Sequence, residues 1–408
     1  MKPLSAFNRN GLAPYVEAAL GGALPAIRGQ YFGVDPYGVT DGRSPKEFGA
    51  ADIATNLLDA YTACRDGVGD GIILFSGGST AAHTTSYLQA PLAWSKYAIT
   101  VYGNAAQVGI FGRARVANVE RTTGSLTTIA FPSATTITDS ASGFLTAGFK
   151  IGDVLRVNTT EGTNDGTGHI ITAVVAGTIT CAASTFTIQT AATAGATTVS
   201  SYNAQMITVS GENNRFLNMN LGNFSSDVLA LGSLKVTANR NYFNNCHFVG
   251  AGHATPAADA GAYDLQLVAS ECVFDRCYFG TNTIIRAAAN GNINLGLSTT
   301  QIGQNFFNGC RILSYSATAG KLAIKIADAA TLGGWIQFDG CSFVNWNSGA
   351  VTALTVAIGG ASPNNCGILI SPSCSMVGWA AWHANEDKVF TAGPVGAAGT
   401  GGIAGSIA

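Results

Sequence analysis

Two acidic side chains, Asp275 and Asp339, occupy the same position of a repeated six-residue pattern. Two carboxylates that face one bond can cleave a glycosidic linkage, at separations of about 5–5.5 Å for retention and 6.5–9.5 Å for inversion. If the repeats stack as β rungs about 4.8 Å apart, two rungs would separate these carboxylates by roughly 9–10 Å. However, Asn244 and Asn308 fill the same position in the alternating copies. A structural column that bonds to the backbone at each corner explains the pattern more simply, so we predict no catalytic residues.

Cysteines recur in the same pattern and raise a second chemical possibility. Each copy reads aromatic, Asn or Asp, any residue, Cys, any residue, apolar. The copies start at Phe243, Phe274, Phe307 and Phe338 and contain Cys246, Cys277, Cys310 and Cys341, and a degraded copy keeps Cys374. Such a column can consist of buried free thiols that act as small apolar side chains, of disulfides between coils, or of metal ligands. No CxxC pair occurs, and Cys272/Cys277 and Cys366/Cys374 have poor zinc spacing, so we predict no metal and no cofactor.

The elements that would position these residues are short strands. The cysteines recur every 31 or 33 residues, which indicates a solenoid whose copies bury their apolar faces by stacking. Alternating runs precede each copy, as at Leu322/Ile324/Ile326, and alternation with period two predicts a strand with one buried face. The chain must bend between the aromatic residue and the Cys, where Asn, Asp or Gly suit a left-handed corner. The pattern predicts an all-β, right-handed parallel β-helix of about six to eight coils.

Composition limits the partners of this solenoid. The chain has 408 residues, only 11% charged residues and a net charge of −2, so we predict no nucleic-acid partner. We find no apolar run long enough for a membrane helix and predict no membrane partner. The first five residues lack the apolar stretch of a signal peptide, which predicts synthesis in the cytoplasm. The low content of charged residues also leaves little charge to keep a free monomer soluble, so we expect much of the surface to be buried against other chains.

Five segments are predicted along the chain. Residues 1–35 form an N-terminal arm. Residues 36–112 contain a capping helix at 51–64 and the first coils, and residues 113–203 form an inserted small β-sandwich or barrel, because their short strands break the coil pattern. Residues 204–392 form the β-helix with the Cys column. Residues 393–408 form a flexible tail rich in Gly and Ala.

Several short motifs resemble a known fold. Residues 39–42 (Val-Thr-Asp-Gly), the capping helix, the strand at 72–75 and residues 98–103 resemble the entry of pectate-lyase-like right-handed β-helices. Together with residues 206–216, which lead into the Cys column, they are similar to virion structural proteins of tailed bacteriophages. The resemblance covers roughly residues 35–112 and 203–380.

Two functions follow as hypotheses. The first is a non-enzymatic, trimeric decoration or cement protein on the capsid surface, in contact with the major capsid protein or other virion subunits. The low charge, the arm-like ends and the protruding insert favour it. The alternative is a tailspike or fibre that binds or depolymerises host surface polysaccharide.

Overall fold

A computed structural model describes most of the chain. It covers residues 29–34, 53–54, 57–76, 91–105, 114–118, 121–182, 186–202, 205–296, 302–327, 332–346, 354–361, 367–383, 389–393 and 402–404. Cys366 therefore lies outside the described residues, as does most of the predicted arm.

Three long sheets run along the molecule, and each coil contributes one strand to each sheet in the order B, A, C. Sheet A contains β1 (Tyr31–Val34), β2 (Ile53–Ala54), β3 (Gly71–Ser76), β5 (Thr100–Ala105), β15 (Arg215–Leu217), β18 (Tyr242–Asn244), β21 (Val273–Asp275), β24 (Asn305–Asn308), β27 (Ile336–Asp339), β31 (Ile368–Ile370), β34 (Val389–Gly393) and β35 (Gly402–Ala404). Sheet B contains β4 (Leu92–Trp94), β14 (Gln205–Val209), β17 (Gly232–Val236), β20 (Leu265–Leu267), β23 (Gly291–Leu295), β26 (Leu322–Ile326) and β30 (Ile358–Gly360). Sheet C contains β6 (Ala114–Asn118), β16 (Met219–Asn223), β19 (His247–Val249), β22 (Tyr278–Gly280), β25 (Arg311–Tyr315), β28 (Ser342–Trp346) and β32 (Ser375–Val377). A separate pair joins β29 (Leu354–Val356) to β33 (Trp379–Ala381).

Strand register confirms the predicted parallel β-helix of about eight turns. Phe243 pairs with Phe274, Phe274 with Phe307 and Phe307 with Phe338, all in parallel strands. Because side chains alternate along a strand, this register sends one apolar column from each sheet into the centre of the coil. One continuous buried cluster results, which runs from Phe32 to Val389.

The corners of the coils use left-handed backbone conformations. In the four complete copies of the repeat, the residue before the Cys has a positive φ: 49° at Asn245, 52° at Arg276, 59° at Gly309 and 61° at Gly340. Asn and Gly adopt this conformation readily, as the sequence predicted, whereas Arg276 does so at a steric cost.

A column of buried asparagines supports the corner between sheets B and A. Asn214 and Asn241 are almost fully buried, and Asn305 occupies the same position two coils later. The Asn241 Oδ1 accepts the Asn214 backbone N–H at 2.9 Å, and its Nδ2 donates to the carbonyls of Gly211 and Ala238 at 3.0 and 2.8 Å. This column was not predicted from the sequence, although Asn stands two residues before Phe in three copies.

A short helix packs against the first coil. It spans Leu57–Ala63, which is shorter than the predicted 51–64, because Ile53–Ala54 pairs with β1 as a strand. The helix, α1, buries Leu57 and Tyr61 in the central cluster, and the Tyr61 ring lies 4.4 Å from that of Trp94. The Nζ of Lys96 donates to three carbonyls at the end of α1, which places a cation at the negative end of the helix.

Both chain ends contribute more strand than the sequence indicated. Tyr31–Val34, assigned to the arm, pairs with β3 inside sheet A. Gly402–Ala404, assigned to the flexible tail, pairs antiparallel with Val389–Gly393. The prediction was wrong at these points because both segments are strands of only three or four residues, which are too short to show an alternating pattern.

The insert forms one seven-stranded antiparallel sheet, where the sequence predicted a small sandwich or barrel. It contains β7 (Thr122–Leu126), β8 (Ile129–Ser133), β9 (Thr136–Asp139), β10 (Val154–Thr159), β11 (Gly166–Val175), β12 (Thr178–Ala182) and β13 (Thr197–Ser201), with the helix α2 (Ala191–Ala194). The predicted start at 113 is wrong, because Ala114–Asn118 pairs with Met219–Asn223 inside sheet C. The insert has its own apolar cluster, and Arg156 joins it to Asp227 of the solenoid at 3.2 Å.

A third helix, α3 (Ala254–Ala257), lies in a connection between sheets C and B. None of the described helices exceeds seven residues, and none could cross a bilayer.

Candidate functional site

The aromatic and Cys residues of the repeat face inward. Each Phe ring stacks on the next with centroids 4.5–4.9 Å apart and nearly parallel planes; the rings belong to Phe216, Phe243, Phe274, Phe307 and Phe338. Each thiol donates to a Phe carbonyl of the preceding coil at 3.2–3.5 Å, and the donors are Cys246, Cys277, Cys310, Cys341 and Cys374. These residues therefore join neighbouring coils.

Burial disfavours redox chemistry at the inner thiols of the column. All eight described cysteines are free, and those of the column are buried except for the half-buried Cys374. Burial raises the pKa of the Cys277 and Cys310 thiols well above the usual value, so they stay protonated. No group of three or more potential metal ligands occurs among the described residues.

The Asn and Asp residues of the repeat face outward, on the outer face of sheet A. Asn244, Asp275, Asn308 and Asp339 follow one another along one column in register. The Asn244 Nδ2 donates to the Asp275 Oδ2 at 2.6 Å. This bond joins two side chains, whereas the sequence predicted bonds from the column to the backbone. The reason is that adjacent outward side chains in a parallel sheet lie within reach of each other.

Tyr242 and Arg276 complete a polar cluster around Asp275. The Tyr242 hydroxyl donates to the Asp275 Oδ2 at 3.3 Å and accepts from the Asn244 Nδ2 at 3.0 Å. Arg276 Nη2 lies 3.5 Å from both the Asp275 Oδ2 and the Asn244 Oδ1. Burial and the nearby Asp275 charge raise the pKa of Tyr242, so its hydroxyl remains a hydrogen-bond donor.

Asp339, two rungs away, has a different environment. The hydroxyls of Ser371 and Ser373 donate to its Oδ1 at 2.6 and 2.7 Å. These hydrogen bonds lower the pKa of Asp339, which keeps it ionised at neutral pH. A general acid in glycoside hydrolysis needs a raised pKa, so Asp339 does not suit that role.

Aromatic side chains flank the polar cluster on the same face. Phe306 lies in the outward column that contains Tyr242 and Val273, and it is 40% exposed. Trp335, on the following rung, is 47% exposed and packs against Phe390 at 5.0 Å. Rungs about 4.8 Å apart thus present amides, carboxylates and apolar rings in a repeating array. Such an array suits a long ligand that itself repeats hydroxyl groups and apolar C–H faces.

Several solved structures are similar in fold to this chain. No protein-family model and no curated protein matches the chain. A mutant pectin methylesterase in complex with a hexasaccharide has 14% identity and a TM-score of 0.44, and the match covers 90% of this chain and 91% of that one. The tailspike of Pseudomonas phage phi297 has 12% identity and a TM-score of 0.21, with 97% and 75% covered. The tailspike of Acinetobacter baumannii bacteriophage AP22, in complex with a capsular saccharide, has 9% identity and a TM-score of 0.17, with 79% and 70% covered.

These structure neighbours, tailspikes and a pectin methylesterase, are parallel β-helix proteins. Two of the three come from bacteriophages, the source named by the sequence resemblance. The TM-scores are too low to carry an argument about function.

Proposed function

We propose that this chain is a β-helix protein of a tailed-phage particle that binds host surface polysaccharide along the outer face of sheet A. The observation that carries the proposal is the cluster of Tyr242, Asn244, Asp275 and Arg276 beside the exposed Phe306. Its members hold one another in place through hydrogen bonds, so little side-chain entropy is lost when a saccharide binds. The binding role was the alternative hypothesis from the sequence.

The proposed role is binding without cleavage. The carboxylates of Asp275 and Asp339 already accept hydrogen bonds, and the lowered pKa of Asp339 opposes a role as general acid. A glycosidase or lyase remains the competing hypothesis. Release of reducing ends from a bound polysaccharide, lost in Asp275→Asn, would contradict the non-catalytic role.

The double variant Asn244→Ala/Asp275→Ala is expected to weaken polysaccharide binding at least tenfold, or about 1.4 kcal/mol. It removes the centre of the hydrogen-bonded cluster and leaves the inward Phe and Cys columns intact. Binding would be measured by biolayer interferometry against a panel of purified capsular polysaccharides and lipopolysaccharides.

The matched control is Gln266→Ala, on the outer face of sheet B in the same coil as Asp275. We expect it to bind like the wild-type chain. Equal losses in both variants, or no binding of the wild-type chain to any polysaccharide of the panel, would contradict the proposal.

The cement role on the capsid, which was the first hypothesis from the sequence, is not supported. We propose a homotrimer on the tail instead. An apolar strip on the outer face of sheet C supports self-association: Trp346 and Val377 are 58% and 60% exposed. Electron microscopy of intact particles labelled with an antibody against this chain should show threefold projections on the tail. Label spread over the head would contradict this location.

A further inference from the structure

A buried polar cluster lies where the chain enters the strands of sheet B after each connection from sheet C. Asp264, Asn292 and Lys321 are at most 1% exposed. Asn292 belongs to β23, and Lys321 directly precedes β26 on the next rung, where Gly291 pairs with Leu322. Side chains from successive coils therefore meet in a site closed to solvent.

The contacts arrange these groups around the Asn292 side-chain amide. The Lys321 Nζ donates to the Asn292 Oδ1 at 2.7 Å, and the Ser314 Oγ donates to the same oxygen at 2.5 Å. The Asn292 Nδ2 donates to the Asp264 Oδ2 at 2.8 Å. Because a carbonyl bond is about 1.23 Å long, the Lys321 Nζ lies no more than about 4 Å from the Asn292 Cγ.

The protonation of the cluster suits an attack by Lys321. Burial and the nearby positive charge of Arg286 lower the pKa of Lys321 well below its usual value, which favours the neutral amine that can act as a nucleophile. Asp264 receives hydrogen bonds from the Gly250 N–H at 2.8 Å and the Arg286 Nη2 at 2.5 Å. The Arg286 guanidinium thus forms an ion pair with the Asp264 carboxyl group, whose oxygens are placed to take part in proton transfer.

We propose that Lys321 and Asn292 join in an intramolecular isopeptide bond. The Lys321 Nζ attacks the Asn292 Cγ, while Ser314 stabilises the negative charge that develops on Oδ1. Asp264 accepts a proton from Nζ and delivers it to Nδ2, the Cγ–Nδ2 bond breaks and ammonia leaves. One amine and one primary amide become one secondary amide and ammonia, so the reaction requires no oxidant and no cofactor.

This bond would connect successive coils covalently. It is independent of the proposed polysaccharide binding, because its residues lie beside sheet B and not on the outer face of sheet A.

Mass spectrometry of the folded full-length chain tests the proposal. The wild-type chain should be lighter than its sequence mass by one ammonia. Trypsin should release residues 287–311 joined to residues 312–325, with no cleavage after Lys321, because an acylated lysine is not cut. An unmodified mass together with separate peptides would overturn the proposal.

Two variants serve as controls. Lys321→Arg keeps a long basic side chain but lacks a primary amine, so we expect its full sequence mass and no joined peptide. Ser314→Ala removes the donor to Oδ1 and should form the bond at least tenfold more slowly after refolding. Cyclisation at Asn290–Gly291 or Asn308–Gly309 is a second reaction that releases ammonia. A mass loss from that source would persist in Lys321→Arg and would not join the two peptides. A joined peptide in Lys321→Arg, or an unchanged rate in Ser314→Ala, would contradict the mechanism.

Discussion

Replacing Phe274 with alanine is expected to lower the free energy of unfolding by about 3–5 kcal/mol. The Phe274 ring is fully buried and stacks between Phe243, at 4.8 Å, and Phe307, at 4.7 Å. Its removal leaves a cavity that neighbouring rungs cannot close, because hydrogen bonds between parallel strands fix their spacing. Denaturant unfolding followed by circular dichroism measures the change.

Phe306→Ala is the matched control on the neighbouring rung. The same side chain is removed, but Phe306 points outward and is 40% exposed. We expect a loss of about 1 kcal/mol or less, because little of the side chain leaves a packed interior. If both variants lost the same stability, the inward Phe column would not be a main source of stability.

Asn241→Ala is expected to lower the free energy of unfolding by about 3 kcal/mol, since each buried polar group left unpaired costs about 1–3 kcal/mol. The substitution removes the acceptor for the Asn214 N–H and the donor for the carbonyls of Gly211 and Ala238. It also loosens the corner that directs the chain from sheet B into sheet A. The same unfolding measurement applies.

Asn308→Ala is the matched control for Asn241→Ala. Asn308 has the same side chain but lies half-buried in the outward column of sheet A. A loss within about 0.5 kcal/mol is expected there. A large loss at Asn308 with a small loss at Asn241 would show that the outward column, not the inward corner, supports the coil.

The repeat was readable because its spacing is nearly constant. Phe, Asn or Asp, and Cys recur in one register, and the structure places Phe243, Phe274 and Phe307 in a stack and their cysteines in a parallel column. Cys272 is outside that register, and it occupies the position that Asn241 and Asn305 hold in neighbouring coils. The recurring Asn before Phe was an available signal for this column.

Irregular segments were predicted less well. The helix is shorter than its apolar spacing indicated, because Ile53–Ala54 adds a strand beside β1. The insert begins after Asn118, because Ala114–Asn118 completes a coil before the chain leaves it. Both errors lie where pairing with a distant strand overrides the local pattern.

The amino-acid sequence by itself determined the parallel coil, its inward Phe and Cys columns and its left-handed corners, since these depend on a periodic pattern of residue types along the chain. Only the tertiary structure decided which polar residues meet. Asn244 contacts Asp275 through the register of neighbouring rungs. Asp264 and Asn292 are likewise neighbours through strand register, and Lys321 reaches Asn292 from the following rung. These three residues are of different types, so no repeated residue type in the sequence reports that they meet.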